Sequence, residues 1–161
     1  MQPPVSIIRA TTCAQLTAAT DLFREYAASL PFSLCFQGFE EELATLPGKY
    51  APPTGVILLA MAGETPVGCI AMRPLPDLGA GVCEMKRMYV VPAWQGQGIG
   101  RRLAEQLIAE ARAAGHTFMK LDSEPDMAAA MGLYRSLGFV PCDRYNNDPH
   151  PQTVFMELRL V

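Results

Sequence analysis

A strand that ends in a glycine-rich turn and runs directly into a helix places the strongest constraint on how this chain folds. The segment VVPAWQGQGIGRRLAEQL covers residues 90–107, and apolar side chains then recur at helical spacing at Ile99, Leu103, Leu107 and Ala111. Unpaired amides at the start of a helix attract anions, and glycines let an anion approach the backbone without interference from a Cβ atom. The segment therefore predicts a phosphate-binding turn.

Two common phosphate loops do not fit this segment. A P-loop requires GxxxxGK[ST], and no Lys-Ser or Lys-Thr pair follows the turn. A dinucleotide-binding GxGxxG requires a third glycine where Arg101 stands, and it normally comes early in a βαβ unit, whereas this turn follows three predicted strands in succession. A tight turn with a purely structural role remains an alternative.

The periodicity of the remaining chain predicts the element order βααβββαβαββ in a single α+β domain that covers residues 1–161. The first helix begins at a Thr11 or Thr12 cap and ends before Pro31, and the last one, predicted over residues 125–139, has Pro125 near its first turn. Alternation in the strand 82–91 predicts two faces, one with Glu84, Lys86, Met88 and Val90, the other with Cys83, Met85, Arg87 and Tyr89. The other predicted strands are 5–10, 55–63, 66–75, 117–122, 140–145 and 153–161.

Charge and hydropathy exclude several classes of protein. The net charge of −3 gives no basic footprint for nucleic acid, and the longest apolar run, GVILLAMAG, is too short to cross a membrane. The N-terminal MQPPVSIIRATT has no export-signal pattern, so we expect a cytoplasmic protein. The composition is compatible with a homodimer.

Cysteine and histidine spacing favours neither a disulfide framework nor a metal site. None of the five cysteines forms a CxxC pair, and neither histidine stands at metal-ligand spacing from them. We therefore expect free, buried thiols and no metal. The cysteines are Cys13, Cys35, Cys69, Cys83 and Cys142, and the histidines are His116 and His150.

The glycine turn also carries a family resemblance. Gln95, Gly98 and Gly100 match the pattern Q/R-x-x-G-x-G/A, and LYRSLGF follows about 40 residues later. Together with the order of elements along nearly the whole chain, this resembles the GNAT superfamily of acetyl-coenzyme A-dependent N-acetyltransferases. The resemblance implies a mixed, mostly antiparallel sheet of about six or seven strands flanked by about four helices. It also implies acetyl-CoA as the cosubstrate.

The resemblance assigns the coenzyme-binding positions. The strand end formed by Met88, Tyr89 and Val90 would bond the pantetheine arm through its backbone. Met127 stands where many members carry an asparagine that bonds the pantetheine, so this polar contact is in doubt and packing would replace it. Backbone amides would hold the coenzyme diphosphate from Gln95 through Gly96, Gln97, Gly98, Ile99 and Gly100 to Arg101.

The resemblance also assigns two catalytic candidates. Tyr134, in LYRSLGF, matches a tyrosine that lies near the coenzyme sulfur and would protonate the departing thiolate. Glu84 matches a glutamate that takes a proton from the amine. The ordinary alternatives are a core aromatic at Tyr134 and a solvated or paired carboxylate at Glu84, and Asp122 or Glu124 could serve as the base instead.

The acceptor is a small-molecule or peptide amine that the sequence does not identify. Phe32, Phe36 and Phe39, the glutamates of residues 40–42, and the RYNNDPHP segment would wall its side of the site. The three glutamates could attract a cationic amine or simply form the solvated side of a helix. Two alternatives to an N-acetyltransferase are a non-catalytic acyl-CoA-binding regulator or sensor, and a transferase of a larger acyl group.

Overall fold

The computed structural model describes residues 2–34 and 38–161. Seven strands and four α-helices follow the predicted order βααβββαβαββ. Cys35 and Phe36, which the sequence predicts as a free thiol and an acceptor-wall residue, lie outside the described residues. In chain order the elements are β1 (Val5–Arg9), α1 (Cys13–Ser29), α2 (Phe39–Ala44), β2 (Val56–Ala62), β3 (Thr65–Pro74), β4 (Val82–Val90), α3 (Ile99–Ala113), β5 (Phe118–Ser123), α4 (Ala128–Ser136), β6 (Val140–Pro141) and β7 (Val154–Arg159).

The strands form one sheet in the order β1-β2-β3-β4-β5-β7-β6. Every neighbouring pair is antiparallel except β4 and β5, which run parallel. These two strands pair over only three positions, from Val82 opposite Phe118 to Glu84 opposite Lys120. The predicted α+β class and its mostly antiparallel sheet are confirmed, and the sheet opens between β4 and β5 beyond Glu84.

The helices cover both faces of the sheet. The buried stripe of α3, which includes Leu103 and Leu107, packs with α4 against one face. Phe23 of α1 and Phe39 of α2 pack against the other. Thr12 caps α1 in a reciprocal capping box with Gln15, as the sequence predicts, and such a cap contributes about 1 kcal/mol.

The predicted alternation along β4 is wrong beyond Lys86. Arg87 has φ +62°, in the left-handed region, and a β-bulge shifts the pairing with β3 between Cys69 and Ala71. A bulge adds one residue to a strand, so every later side chain changes face. Met88 therefore packs with the core under α3, whereas Arg87 and Tyr89 face the α1 side.

Two other element boundaries differ from the prediction. Helix α4 begins at Ala128, three residues after the predicted start at Pro125, so Pro125 lies just before its first turn. The predicted strand 140–145 is reduced to Val140–Pro141, and residues 142–153 form a connection without regular structure before β7.

Four of the five cysteines lie among the described residues, and all four are free thiols. Cys69 and Cys83 are buried as expected, but Cys13 is exposed and Cys142 is partly exposed. The expectation of burial is therefore wrong for Cys13. Within the described part of the chain, no helix has the length and hydropathy needed to cross a membrane.

Candidate active site

The glycine turn presents a row of hydrogen-bond donors. From Gly96 to Arg101, no backbone amide donates to an acceptor within residues 2–34 and 38–161. Gly96 and Gly98 have φ +79° and +80°, and a Cβ atom on either would meet nothing within 4 Å. Gly98 is also the N-cap of α3, where the helix dipole favours negative charge. The turn is therefore shaped to receive an anion against its backbone.

The sequence predicts that the Gln95 backbone amide holds the diphosphate, but this amide already has a partner. Its amide donates to the Pro92 carbonyl at 3.3 Å, and its side-chain Nε2 donates to the Val90 carbonyl at 2.9 Å. The available donors therefore begin at Gly96. Gln95 instead ties the turn to the end of β4.

An open strand edge continues from the glycine turn. Beyond Glu84, β4 pairs with β3 on one side only, because β5 diverges from it. Among the described residues, no strand pairs with the edge that faces β5 over Met88, Tyr89 and Val90. A groove of about 450 Å³ follows this edge, and its other walls include Met127 and Leu133. An extended polar chain can pair with such an edge as an added strand.

A narrow second cavity lies in the opening between β4 and β5. It is lined by Tyr134, Asp122 and Glu124, and its volume is about 50 Å³. Tyr26, Met88 and Met127 line both this cavity and the groove. The Tyr134 cavity therefore adjoins the groove that leads from the glycine turn.

Tyr134 is 7% exposed and makes an edge contact with Phe139, with ring centroids 5.9 Å apart. Burial raises the pKa of its phenol well above the usual 10, and the nearby Tyr26 and Asp122 raise it further. The phenol is therefore protonated at neutral pH and can act as a hydrogen-bond or proton donor.

All three candidate carboxylates accept a hydrogen bond from the segment 142–153. The Tyr145 hydroxyl donates to Glu84 at 2.6 Å, and the Thr153 hydroxyl donates to Glu124 at 3.2 Å. The third donor, Asn146 Nδ2, lies 2.7 Å from the Asp122 carboxylate. The carboxylates differ in location, because Asp122 and Glu124 line the Tyr134 cavity whereas Glu84 lines a neighbouring, wider cavity.

Comparison with known proteins identifies this arrangement. The model of the Acetyltransferase (GNAT) family matches residues 19–139. The chain belongs to the GNAT family. N-acetyltransferase C1271.07c of Schizosaccharomyces pombe is 36% identical over 140 residues, which cover 86% of this chain and 85% of that protein. The predicted enzyme class, an acetyl-CoA-dependent acetyltransferase, is therefore confirmed.

Solved structures show the same fold. A GNAT-family acetyltransferase from Staphylococcus aureus Mu50 superposes with a TM-score of 0.78 at 17% identity, covering 98% of this chain and 100% of that one. The yncA protein of Salmonella typhimurium, solved with acetyl-CoA, gives 0.76 at 23% identity, with 98% and 95% covered. At these identities the likeness concerns the fold of the GNAT family alone.

In this GNAT protein the three glutamates of α2 have different environments. Glu40 pairs with Arg24 at the surface and Glu41 is exposed, but Glu42 is buried. Both Glu42 carboxylate oxygens accept hydrogen bonds of 2.9 Å from Arg87. The prediction of a solvated helix face, or of an attractor for a cationic amine, is therefore wrong for Glu42.

Charge pairing decides the protonation of Glu42. Burial alone would raise the pKa of this carboxyl group, but hydrogen bonds and charges from Arg87 and Lys49 outweigh it and lower the pKa to about 2. Lys49 Nζ lies 2.8 Å from Glu42 Oε1. Since Arg87 is the left-handed residue of the β4 bulge, the pair ties the bulge to α2.

The predicted acceptor wall is assembled in part. The rings of Phe32 and His150 lie 4.4 Å apart, and His150 Nδ1 is 2.9 Å from the Asp148 carboxylate. Ligand atoms of Glu124, Asp148 and His150 all lie within 4.8 Å of one another. Phe39 is buried under the Arg87 guanidinium and lines neither the groove nor the Tyr134 cavity.

Sequence reasoning missed two tyrosines of the site. Tyr26 falls on the apolar stripe of α1, yet it lines both the groove and the Tyr134 cavity, and burial raises its pKa to about 12. Tyr145 lies in a segment predicted as strand, yet its hydroxyl bonds Glu84. The signal that could have indicated Tyr26 is its polar hydroxyl on the apolar stripe, in the last turn of α1. No local pattern predicts the Tyr145 contact, because 61 residues separate the partners.

Proposed function

We propose that this enzyme transfers the acetyl group of acetyl-CoA to a primary amine by direct attack within a ternary complex. The observation that supports this best is the continuous path from the unpaired amides of the glycine turn, along the open β4 edge, to the Tyr134 cavity. One end of this path suits the diphosphate of acetyl-CoA, and the other end suits its thioester.

In this proposal the amides from Gly96 to Arg101 hold the diphosphate. The exposed backbone of Met88, Tyr89 and Val90 pairs with the amides of the pantetheine arm, and Met127 packs against that arm. Among these contacts only Met127 acts through its side chain. Binding therefore depends mainly on backbone geometry.

The reaction makes a C–N bond and breaks the C–S bond of the thioester. An alkylammonium has a pKa of about 10.4 in water, so the acceptor must first lose a proton to a base. We assign this role to Glu84. As the amide forms, the attacking nitrogen loses a second proton, which passes to solvent. Tyr134 donates its phenolic proton to the departing thiolate and regains a proton from solvent, so that free CoA leaves as the thiol and one proton is released overall.

Asp122 and Glu124 are the second candidates for the base. They line the same cavity as Tyr134, whereas Glu84 lines the neighbouring one. A water molecule between the amine and Glu84 would have to carry the proton if the amine lies deep in the Tyr134 cavity. The two assignments therefore differ in whether the base acts directly.

Two measurements test the proposal. Calorimetry should show acetyl-CoA binding, and a thiol-release assay with a panel of primary amines should show turnover that depends on the amine. Binding without acceleration by any amine would indicate a regulator or sensor, and faster turnover with propionyl- or succinyl-CoA would indicate a larger acyl group. Absence of binding at millimolar acetyl-CoA would end the proposal.

A further inference from the structure

A third cavity, with a volume of about 300 Å³, adjoins the Tyr134 cavity on the acceptor side. Lys86 and Asp148 line both cavities and form the boundary between them. Glu84 and Tyr145 line the third cavity only. We refer to this third space as the side cavity. Its size suits a small molecule.

Three cations from three separate elements meet at the side cavity. Lys49 follows α2, Arg73 lies on β3 and Lys86 on β4. Burial lowers the pKa of the Lys49 ammonium, the Glu42 carboxylate opposes this effect, and the charges of Lys86 and Arg73 lower the pKa again. Lys49 is therefore close enough to Lys86 and Arg73 to be affected by both charges.

The carboxylates that line the side cavity do not pair with Arg73. Glu84 accepts a hydrogen bond from the Tyr145 hydroxyl and lies 3.9 Å from Lys86 Nζ. The Asp148 carboxylate contacts His150 Nδ1. Asp77 is exposed at the rim. Among the described residues, Arg73 has no ion pair and makes one hydrogen bond, from Nε to the Pro74 carbonyl at 3.4 Å.

We propose that the acceptor is a small primary amine that carries a carboxylate, of the amino-acid class, and that Arg73 binds this carboxylate in the side cavity. The proposal rests on the proposed function above. A planar guanidinium binds a carboxylate through two parallel hydrogen bonds, and Lys49 and Lys86, which pair with Glu42 and Glu84, line the same cavity. The amine then points across Lys86 and Asp148 toward the thioester in the Tyr134 cavity.

The same charges disfavour other acceptors. A polyamine or the side chain of a protein lysine brings no carboxylate, so it would leave the Arg73 guanidinium without an ion-pair partner and place further positive charge beside it. Mixed charge suits an amino acid, because Glu84 and Asp148 offer carboxylates to its ammonium group while Arg73 offers a guanidinium to its carboxylate. The lining of the side cavity thus offers partners of both signs to a zwitterion.

The test compares matched acceptors on the wild-type protein. Alanine, leucine and phenylalanine are assayed by thiol release against their own carboxamides, together with spermidine and a short peptide with a free N-terminus. We expect kcat/KM for each acid to exceed that of its carboxamide by about 10- to 100-fold, the loss typical of one charged hydrogen-bonded pair. A carboxamide has the less basic amine, so amine protonation works against this preference.

Variants then assign the preference to Arg73. Arg73→Gln should raise KM for the acids about 10-fold or more and leave the carboxamides unchanged. Arg73→Lys should retain part of the preference, and Arg159→Gln, which removes an exposed charge on β7 outside these cavities, should retain all of it. If Arg73→Gln does not fold, competition by N-acetylated acids and their amides on the wild type replaces it, and we expect the acids to inhibit more strongly.

The outcomes separate the two proposals. Equal or better turnover of carboxamides, spermidine or the peptide would overturn the inference and leave the proposed function intact. An acid preference that persists in folded Arg73→Gln would overturn the assignment to Arg73. Binding of acetyl-CoA with no turnover of any amine would instead overturn the proposed function, and this inference with it.

Discussion

Substitution of Glu42 by glutamine should destabilise the fold at neutral pH. The carboxyl group titrates at a pKa of about 2 in the folded chain against an ordinary value of 4.5, and a shift of this size corresponds to about 3 kcal/mol. Removal of one partner from a buried ion pair typically costs about 3–5 kcal/mol, because the other charge stays buried. Arg87, whose side chain is 2% exposed, is that remaining charge. The two estimates agree.

The effect depends on pH with a definite sign. Because the folded pKa is lowered, the stabilisation is complete above about pH 5 and is lost as the pH falls from 4.5 toward 2. The difference in free energy of unfolding between wild type and Glu42→Gln should therefore shrink over that range. Lys49 is 30% exposed and water screens it, so most of the difference reflects Arg87.

Urea denaturation measured at several pH values tests this. At pH 7 the midpoint of Glu42→Gln should fall by about 1–3 M urea, given slopes of about 1–3 kcal/mol per molar. Glu41→Gln is the matched control, since it removes the same charge from the exposed neighbour and should leave the midpoint nearly unchanged. A loss below about 1 kcal/mol at pH 7, or parallel pH profiles for wild type and Glu42→Gln, would refute the reasoning.

Three further predictions concern the reaction. Tyr134→Phe should lower kcat by about 10²-fold or more with little change in acetyl-CoA affinity, as measured by turnover and calorimetry, and an unchanged kcat would remove the acid role. Gly98→Val should abolish acetyl-CoA binding, whereas Gly63→Val, with similar left-handed strain (φ +62°) in the β2–β3 turn, should bind normally; full affinity in a folded Gly98→Val protein would contradict the turn assignment. Glu84→Gln should lower kcat/KM about 10²-fold and recover at high pH, where the amine is neutral; a larger loss in Glu124→Gln would move the base there.

Local sequence patterns predicted the unit of strand, glycine turn and helix around Gly98 well. A strand, a glycine turn and a helix are contiguous in sequence, so their geometry depends little on the rest of the chain. A Cβ atom at Gly98 would meet nothing within 4 Å, in line with the open backbone approach predicted there, and the amphipathic pattern of α3 predicted its buried stripe. The Thr12 cap followed from its position before an apolar stripe.

The bulge in β4 could not be predicted in the same way. Nothing in the alternation of β4 indicates that Arg87 adopts a left-handed conformation, since glycine or asparagine would be the usual signal. The long-range contact with Glu42 supplies the missing information, because a guanidinium held at 2.9 Å by α2 fixes which face Arg87 occupies. Partners 45 residues apart leave no periodic trace in the sequence.

The acceptor side of the site lies at the opening of the sheet between β4 and β5. Where β4 and β5 stop pairing, at Glu84, the side chains line two adjoining cavities and no longer one continuous sheet face. The segment 142–153, which the sequence predicts in part as strand, contains Tyr145, Asn146 and Thr153. Their side chains donate hydrogen bonds to the three carboxylates. Each of these contacts joins distant parts of the chain. We therefore propose that residues outside any motif, such as Arg73, set acceptor choice in this enzyme, and we expect substitutions there to change the acceptor while leaving the glycine turn and coenzyme binding intact.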